Sequence, residues 1–364
     1  MDHKLRVLSL LGALAVGVGC AGYSARLNRE QAAAKYVQSK TAKTYRLRQE
    51  ASPVFFLNEN VGWVASNGNL YRTTDGGEHW QLVHTIDPRN SVKMVFANEH
   101  LGWAIINEVS GQLAHQVVRT NDGGYTWRKL LNLDSPISEI DFVDDHTGFV
   151  KNRWDTPRRT SDAGQTWTEL GFQGEDVLEM FEGLRYFFFV SDNEGWGYGS
   201  GIWHTTDGAH TWTQVVGDDK LKGVLSSAVF LDAKHGWIIG RARQIWRTTD
   251  GVSWHLATKI PPAQGPPEEI TKQLPDDFNS ITFISAERGW IAANDHTILS
   301  SNDGGESWQS ISRLPNSLTA VRFLTENNGW ALDNNGNLMH SLDGGRTWIV
   351  QPLTSNLSMK ESRR

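Results

Sequence analysis

The 364-residue sequence has a single cysteine, Cys20, so no disulfide bond can form within the chain. Long apolar runs are also missing, and nothing beyond the N-terminal region is long enough to span a bilayer. The net charge of −6 is small for this length and argues against nucleic-acid binding. No segment shows a sustained helical period. The fold must therefore be β-rich and stabilised by packing alone.

Signatures of common catalytic sites are absent as well. There is no Gly-x-Ser-x-Gly elbow, no His-Glu-x-x-His, no phosphate-binding Gly-rich loop and no cysteine pair for zinc. The twelve histidines are scattered along the chain. The sequence therefore predicts no catalytic residue, no metal site and no cofactor.

What the sequence contains instead is one short motif that returns seven times. Each copy has Thr or Ser, one residue, Asp, a Gly-containing turn and then Trp. The aspartates are Asp75, Asp122, Asp162, Asp207, Asp250, Asp303 and Asp343. A Gly-aromatic pair precedes each Asp, and a Phe stands six residues before that glycine, as in Phe96, Gly102 and Trp103. A period of about 40–50 residues indicates a repeat architecture whose units stack to bury their apolar faces.

Each repeat has room for four strands, which we name A to D. Strand A ends near the Phe, B opens at the Gly-aromatic pair, C runs into the Asp, and D opens at the second Trp. The segments around these anchors are short, rich in β-branched and aromatic residues, and bounded by turn residues. The predicted fold class is therefore all-β, a seven-bladed β-propeller of four-stranded antiparallel blades.

The repeated Asp is predicted to be a structural turn residue in all seven blades. Its carboxylate is expected to accept hydrogen bonds from the N–H groups of the glycine pair that follows, as an Asx-type turn. Blade five has one residue fewer between Asp250 and its Trp, which predicts a distorted turn there. A residue required in every blade serves the repeat rather than one site, so catalysis and metal binding are disfavoured.

A basic residue lies three positions before the repeated Asp in six of the seven blades. These residues are Arg72, Arg119, Arg159, His204, Arg247 and His340. Because alternate residues of a strand share one face, we interpret them as a solvated strand face rather than as ligands.

Spacing between the anchors shows which end of the propeller varies. The Phe-to-Gly interval, which covers the A–B turn, is six residues in every blade. The Gly-to-Asp interval, which covers the B–C loop, ranges from 12 to 20 residues. The interval from the Trp that ends the motif to the next Phe, which covers the D–A loop, ranges from 15 to 29 residues. B–C and D–A loops share one end of a four-stranded meander. Recognition is therefore expected on that end, the variable face.

Arginines from three consecutive blades are the predicted partner-binding residues on the variable face. Arg158 stands where the other six blades have an apolar or aromatic residue. The other candidates are Arg153, Arg185, Arg241 and Arg243. Because Arg binds carboxylates and phosphates with two parallel bonds, an acidic protein segment would suit this group. The alternative, a set of unrelated surface charges, stays open.

The ends of the chain are predicted to direct export and anchoring. Residues 1–20 have a basic start, an apolar stretch from Val7 to Gly19 and then Cys20, a lipoprotein-like signal with its lipid attachment at Cys20. The usual Leu three positions before the Cys is missing, so an uncleaved anchor or ordinary cleavage remain alternatives. We expect a tether at 21–49, the propeller at 50–354 and a disordered tail at 355–364.

The repeats resemble the Asp-box, or bacterial neuraminidase repeat, with the pattern Ser/Thr-x-Asp-x-Gly-x-Thr-Trp. Residues 120–127 and 341–348 match it throughout. A single propeller of this kind behind a lipoprotein-like signal resembles the photosystem II stability and assembly factor family. That resemblance implies a protein that binds a reaction-centre precursor, partly through an arginine patch, without catalysing a reaction. We expect a monomer that is exported to the periplasm, or to the thylakoid lumen if the host is photosynthetic. The complete box in the last blade departs from the family pattern.

The Asp-box also occurs in sialidases and in xyloglucan-cleaving glycosidases. Sialidases resemble six-bladed propellers with an early Arg-Ile-Pro segment, which this sequence lacks, and the xyloglucan enzymes pair two propellers around a cleft. Loop carboxylates (Asp176, Glu179, Glu268 and Glu269) and Trp154 keep a carbohydrate-active protein as the alternative. The leading expectation is a lipid-anchored cell-envelope scaffold that docks an acidic segment of a membrane complex.

Overall fold

The computed structural model describes residues 51–87, 90–107, 115–152, 156–170, 183–258, 260–261 and 277–353. These residues form seven four-stranded antiparallel sheets, so the predicted seven-bladed β-propeller is confirmed. Within the described ranges, no helix has the length and hydrophobicity of a membrane-spanning segment. Cys20, the signal peptide, the tether and the tail all lie outside the described residues.

Each blade takes its four strands from one continuous stretch of sequence. Blades one to four contain β1 (Val54–Phe56), β2 (Gly62–Ser66), β3 (Asn69–Thr73), β4 (Gln81–Thr85), β5 (Ser91–Phe96), β6 (Gly102–Asn107), β7 (His115–Thr120), β8 (Arg128–Leu133), β9 (Ile137–Phe142), β10 (Gly148–Asn152), β11 (Arg158–Thr160), β12 (Thr168–Glu169), β13 (Leu184–Phe189), β14 (Gly195–Gly199), β15 (Ile202–Thr205) and β16 (Thr213–Val216). Blades five to seven contain β17 (Leu225–Phe230), β18 (Gly236–Gly240), β19 (Ile245–Thr248), β20 (His255–Leu256), β21 (Phe278–Phe283), β22 (Gly289–Ala293), β23 (Thr297–Ser301), β24 (Gln309–Arg313), β25 (Leu318–Phe323), β26 (Gly329–Asp333), β27 (Leu338–Ser341) and β28 (Ile349–Gln351). Neighbouring strands in sequence are neighbours in the sheet, so the described strands close the ring without sharing a strand between blades.

The fixed Phe-to-Gly interval has a steric cause. Phe96 ends strand A opposite Gly102, the first residue of strand B. A Cβ added at Gly102 would lie 2.4 Å from the Phe96 ring, which is too close for any side chain. The same contact recurs in every blade, so the phenyl ring covers the glycine and sets the length of the A–B turn.

Three aromatic rings join each blade to the next. Trp63 of blade one stacks on Phe96 of blade two with ring centroids 3.6 Å apart, and the box Trp127 meets the same Phe edge-on at 6.2 Å. The Trp63 indole also donates a hydrogen bond to the carbonyl of Gly123 in the next box, at 2.8 Å. Buried aromatic pairs of this kind contribute through both burial and ring geometry. This junction is the main contact between blades.

The junction that closes the ring is looser than the others. Trp330 of blade seven lies 5.6 Å from Phe56 of blade one, whereas the other six equivalent pairs are separated by 3.6–4.3 Å. The Trp330 ring lies closer to His340, on which it stacks at 3.9 Å, and its Nε1 has no hydrogen-bond partner among the described residues. A hydrogen bond from the Ser66 hydroxyl to the Gly336 carbonyl, at 2.6 Å, supplements this closure.

Replacing each of two equivalent tryptophans by Phe tests the difference between these junctions. Trp290→Phe removes the indole hydrogen bond to the Gly344 carbonyl (2.9 Å), whereas Trp330→Phe removes none. We expect Trp290→Phe to lower the free energy of unfolding by about 0.5–1.5 kcal/mol more than Trp330→Phe. Urea unfolding followed by circular dichroism measures both values. Equal losses, or a larger loss for Trp330→Phe, would contradict this description of the closing junction.

Candidate functional site

The seven box aspartates are engaged within their own loops. In blade two, the Thr120 hydroxyl donates to Oδ1 of Asp122 (2.7 Å) and accepts the N–H of Gly124 (2.9 Å). The Asp122 carboxylate accepts the N–H and the hydroxyl of Thr126, at 2.9 and 2.6 Å. The expected bonds from the glycine pair to the carboxylate are therefore wrong in detail. The Thr hydroxyl receives the glycine N–H because it lies nearer to it inside the hairpin.

Two blades vary this arrangement. In blade five, Oδ1 of Asp250 accepts the N–H groups of Val252 and Ser253, which is the distortion expected from its shorter turn. In blade one, Nδ1 of His79 lies 2.7 Å from Oδ2 of Asp75, where most other boxes have a Thr or Ser hydroxyl. His79 thus substitutes for that hydroxyl, and the Asp75 carboxylate remains part of the turn.

These hydrogen bonds keep the box carboxylates ionised. The hydroxyl and the N–H of Thr166 lower the pKa of Asp162 to about 2, and those of Thr347 do the same for Asp343. Partial burial opposes the shift at Asp122, but the bonds from Thr126 still hold its pKa at about 2. A general acid needs a pKa near the working pH, so these carboxylates are unsuited to that role.

The lowered pKa values predict acid sensitivity. Because Asp in an unfolded chain has a pKa of about 3.9, the stabilisation is complete above that pH and is lost as the pH falls towards 2. We expect the urea midpoint to drop between pH 4 and pH 2 and to drop less in Asp122→Asn/Asp162→Asn. Asp134→Asn, outside the boxes, is the control. The same pH dependence in the wild type and the double variant would contradict the prediction.

The basic residues before the box Asp are not a solvated face. The Arg72 guanidinium carbon lies 5.5 Å from the ring centroid of Trp63, and only 13% of the Arg72 side chain is exposed. Arg72 also lies 3.6 Å from Glu99 of the next blade. His340 stacks on Trp330 in the same way. The interpretation from strand alternation is wrong because the neighbouring blade covers this face.

The variable face carries a cavity of about 280 Å³ where blades seven, one and two meet. Apart from Asp333, uncharged polar and apolar residues line it, among them Asn67, Asn90, Val92 and Asn334. Beside it, strand β1 has three residues, whereas the first strand of each other blade has six. Ser52, just before β1, pairs with Met94 of blade two instead of extending blade one. The sequence analysis missed this cavity, although Pro53 marks the point where the strand is cut short.

The described candidate arginines lie on three consecutive blades, and most have acidic partners nearby. In blade three, Nη2 of Arg158 lies 2.5 Å from Glu169 on the adjacent strand. In blade five, Arg241 lies 3.6 Å from Asp277. Arg153 lies outside the described residues, as do Trp154 and the loop carboxylates.

The remaining two described arginines differ in burial. Arg243 lies 3.0 Å from Asp295, and the side chains of both are only 9% exposed. Arg185 is half-buried and is the extra residue at a register shift between Leu184 and Tyr186. The carboxylate contacts of Arg158, Arg241 and Arg243 tie each arginine to its own or a neighbouring blade. Sequence reasoning missed the pairs formed with blade six because their members lie far apart in the chain.

Comparison with known proteins places these features in a family context. The family model for the photosynthesis system II assembly factor YCF48 matches residues 224–318, which cover blades five and six. The predicted resemblance is confirmed. The photosystem II stability/assembly factor HCF136 of rice chloroplasts (Oryza sativa subsp. japonica) is 31% identical over 80 residues. That segment covers 22% of this chain and only 18% of the rice protein.

Solved structures share the fold. A structure of YCF48 bound to D1 peptide has a TM-score of 0.59 and 19% identity, covering 82% of this chain and 95% of that one. A GH74 xyloglucanase from Xanthomonas campestris has a TM-score of 0.61 and 11% identity, covering 84% of this chain and 55% of the enzyme. At these identities the likeness shows the propeller fold alone. The assembly-factor names come from the family model and the rice relative, and neither name describes a catalytic activity.

Proposed function

We propose that the chain is a non-catalytic assembly factor, similar to YCF48 and HCF136, that holds a protein partner from a membrane complex on its variable face. The observation that carries this proposal is the match of the assembly-factor family model across blades five and six. The YCF48 structure of similar fold, which was solved with a D1 peptide, supports a protein ligand. The distant likeness to xyloglucanases concerns the fold only, so it supports a glycosidase function less than the family match supports an assembly factor.

The structure supports binding rather than catalysis through the way its carboxylates are used. The residue that recurs in every blade holds its own hairpin, as Asp122 and Asp162 do, and its pKa is lowered. The loops of the variable face differ in length around a rigid ring. Variable loops on a rigid scaffold suit recognition of one particular partner.

The partner chemistry we propose is an acidic segment bound by Arg158, Arg185 and Arg241, together with Arg153. Glu169, the carboxylate beside Arg158, has a side chain that is 63% exposed. Exposed ion pairs contribute little to stability, so a carboxylate of the partner could replace Glu169 at small cost. Arg241 is itself 64% exposed, so a carboxylate of the partner could reach it while Asp277, which is 13% exposed, stays in place. The buried pair of Arg243 with Asp295 gives Arg243 a supporting role in this loop.

Capture of a partner from solubilised membranes tests this proposal. Arg158→Glu/Arg241→Glu should lose a protein that the wild type retains, because the variant repels an acidic segment. The matched control is Arg128→Glu/Lys129→Glu on the exposed outer strand of blade two, which makes the same change in charge. Glu169→Gln should retain the partner or bind it more tightly. Equal capture by the wild type and the Arg158/Arg241 variant would contradict the proposed docking site.

The proposed location is the cell envelope, with Cys20 as the site of a lipid anchor. A single acyl chain binds membranes reversibly and a diacylated Cys binds them stably, so removing the thiol should release the protein. We expect Cys20→Ser to move the protein from the membrane fraction to the soluble fraction. Immunoblotting of the two fractions measures this, with an integral membrane protein as the marker. Cys20→Ser protein that stays in the membrane fraction would contradict lipid anchoring.

A further inference from the structure

A polar cleft of about 360 Å³ lies between blades six and seven, on the face opposite the variable loops. Ser300 lines it, at the position where the other six blades have a basic residue. In blades one and five the corresponding Arg72 and Arg247 fill the junction and pair with Glu99 and Glu306. Arg288, from the A–B turn of blade six, lies over Trp290 and takes up part of the space that the missing side chain leaves.

Two guanidinium groups converge on this space. Arg288 reaches over Trp290 from the A–B turn, with its guanidinium carbon 4.3 Å from the ring centroid, and one nitrogen donates to the Ser301 carbonyl. Arg346, from the box of blade seven, donates to the carbonyl of its own Asp343 at 2.7 Å. Arg346 Nη1 and Arg288 Nη2 lie 3.5 and 3.7 Å from the point where a Cβ of Gly344 would stand. The two groups therefore border the same point in the cleft.

The positive charge of this pair is not neutralised by direct contact. Among the described ion pairs, neither Arg288 nor Arg346 lies within 4.0 Å of a carboxylate, whereas Arg247 has one at 2.5 Å. Glu287 and Glu326 line the cleft as exposed side chains. Burial lowers the pKa of Arg288, Glu326 counters that shift, and the positive charge of Arg346 lowers it further. A small anion between the guanidinium groups would relieve this repulsion.

We propose that the cleft binds an oxyanion group, a phosphate or a carboxylate, between Arg288 and Arg346. Guanidinium groups form paired, charge-assisted hydrogen bonds with such groups. Ser300 and Gln309 line the cleft and supply further polar atoms beside that position. The site lies on the opposite face from the proposed protein-docking loops, so its test does not depend on the proposed function.

Isothermal titration calorimetry of the full chain with inorganic phosphate, and separately with succinate, tests the site at constant ionic strength. Arg346→Gln copies blade three, where Gln165 makes the same bond to its own Asp carbonyl. Arg288→Val/Ser300→Arg copies blade one, fills the cleft and leaves the net charge unchanged. Arg128→Gln, on the outer strand of blade two, is the control for loss of one positive charge.

We expect saturable binding of at least one of the two anions by the wild type and by Arg128→Gln. Arg346→Gln should bind that anion roughly ten-fold more weakly, the loss of about one charged hydrogen bond. The double variant should not bind it, and circular dichroism verifies its fold. The anion that binds identifies the group as phosphate or carboxylate. The proposal is overturned by no saturable binding of either anion, by binding to the folded double variant, or by equal weakening in Arg128→Gln and Arg346→Gln.

Discussion

The stack of aromatic rings between consecutive blades is the interaction on which the rest of the molecule depends. A propeller blade is a small sheet whose two faces must both be covered, and each blade can be covered only by its neighbours. The B-strand aromatic, the A-strand Phe and the box Trp meet at each junction, as Trp63, Phe96 and Trp127 do. With no disulfide available, this packing holds the ring together.

The box aspartates support that packing from outside. By fastening the hairpin between strands C and D, Asp122 fixes the position of Trp127 and of the Gly123 carbonyl that receives the Trp63 indole. The stacking between blades therefore depends on the hydrogen bonds within the turns. Its repetition makes the places where the repeat is broken the candidates for function: the short first strand of blade one, the arginines of blades three to five, and the missing basic residue of blade six.

Features repeated along the chain could be predicted from the sequence, because repetition shows which residues the fold requires. The blade number, the strand order and the fixed Phe-to-Gly interval follow from seven copies of the same anchors. Strand alternation gave the wrong environment for Arg72 and His340 because it describes one sheet and ignores the blade packed against it. The motif does not show which oxygen accepts the glycine N–H, and in the structure that oxygen belongs to Thr120 and not to Asp122.

The candidate sites were less predictable because their members come from different blades. Arg243 contacts Asp295, which lies 52 residues later in the sequence, and Arg288 approaches Arg346, which lies 58 residues later. A local sequence pattern does not reveal contacts at such separations. The grouping of arginines on consecutive blades was visible in the sequence, but their acidic partners were not. In hindsight, Ser300 was the clearest local signal, since it alone interrupts an otherwise basic series.

Hydrogen–deuterium exchange, resolved by mass spectrometry across the seven inner strands, tests the aromatic-junction account most directly. If stacking sets the strength of each junction, amides of β1 and β25 at the closing junction exchange fastest, since Trp330 and Phe56 are 5.6 Å apart. The inner strands of blades two, three and six, whose junctions are tightly stacked, should exchange more slowly. Uniform exchange in all inner strands, or earliest opening at the junction of blades one and two, would contradict the account.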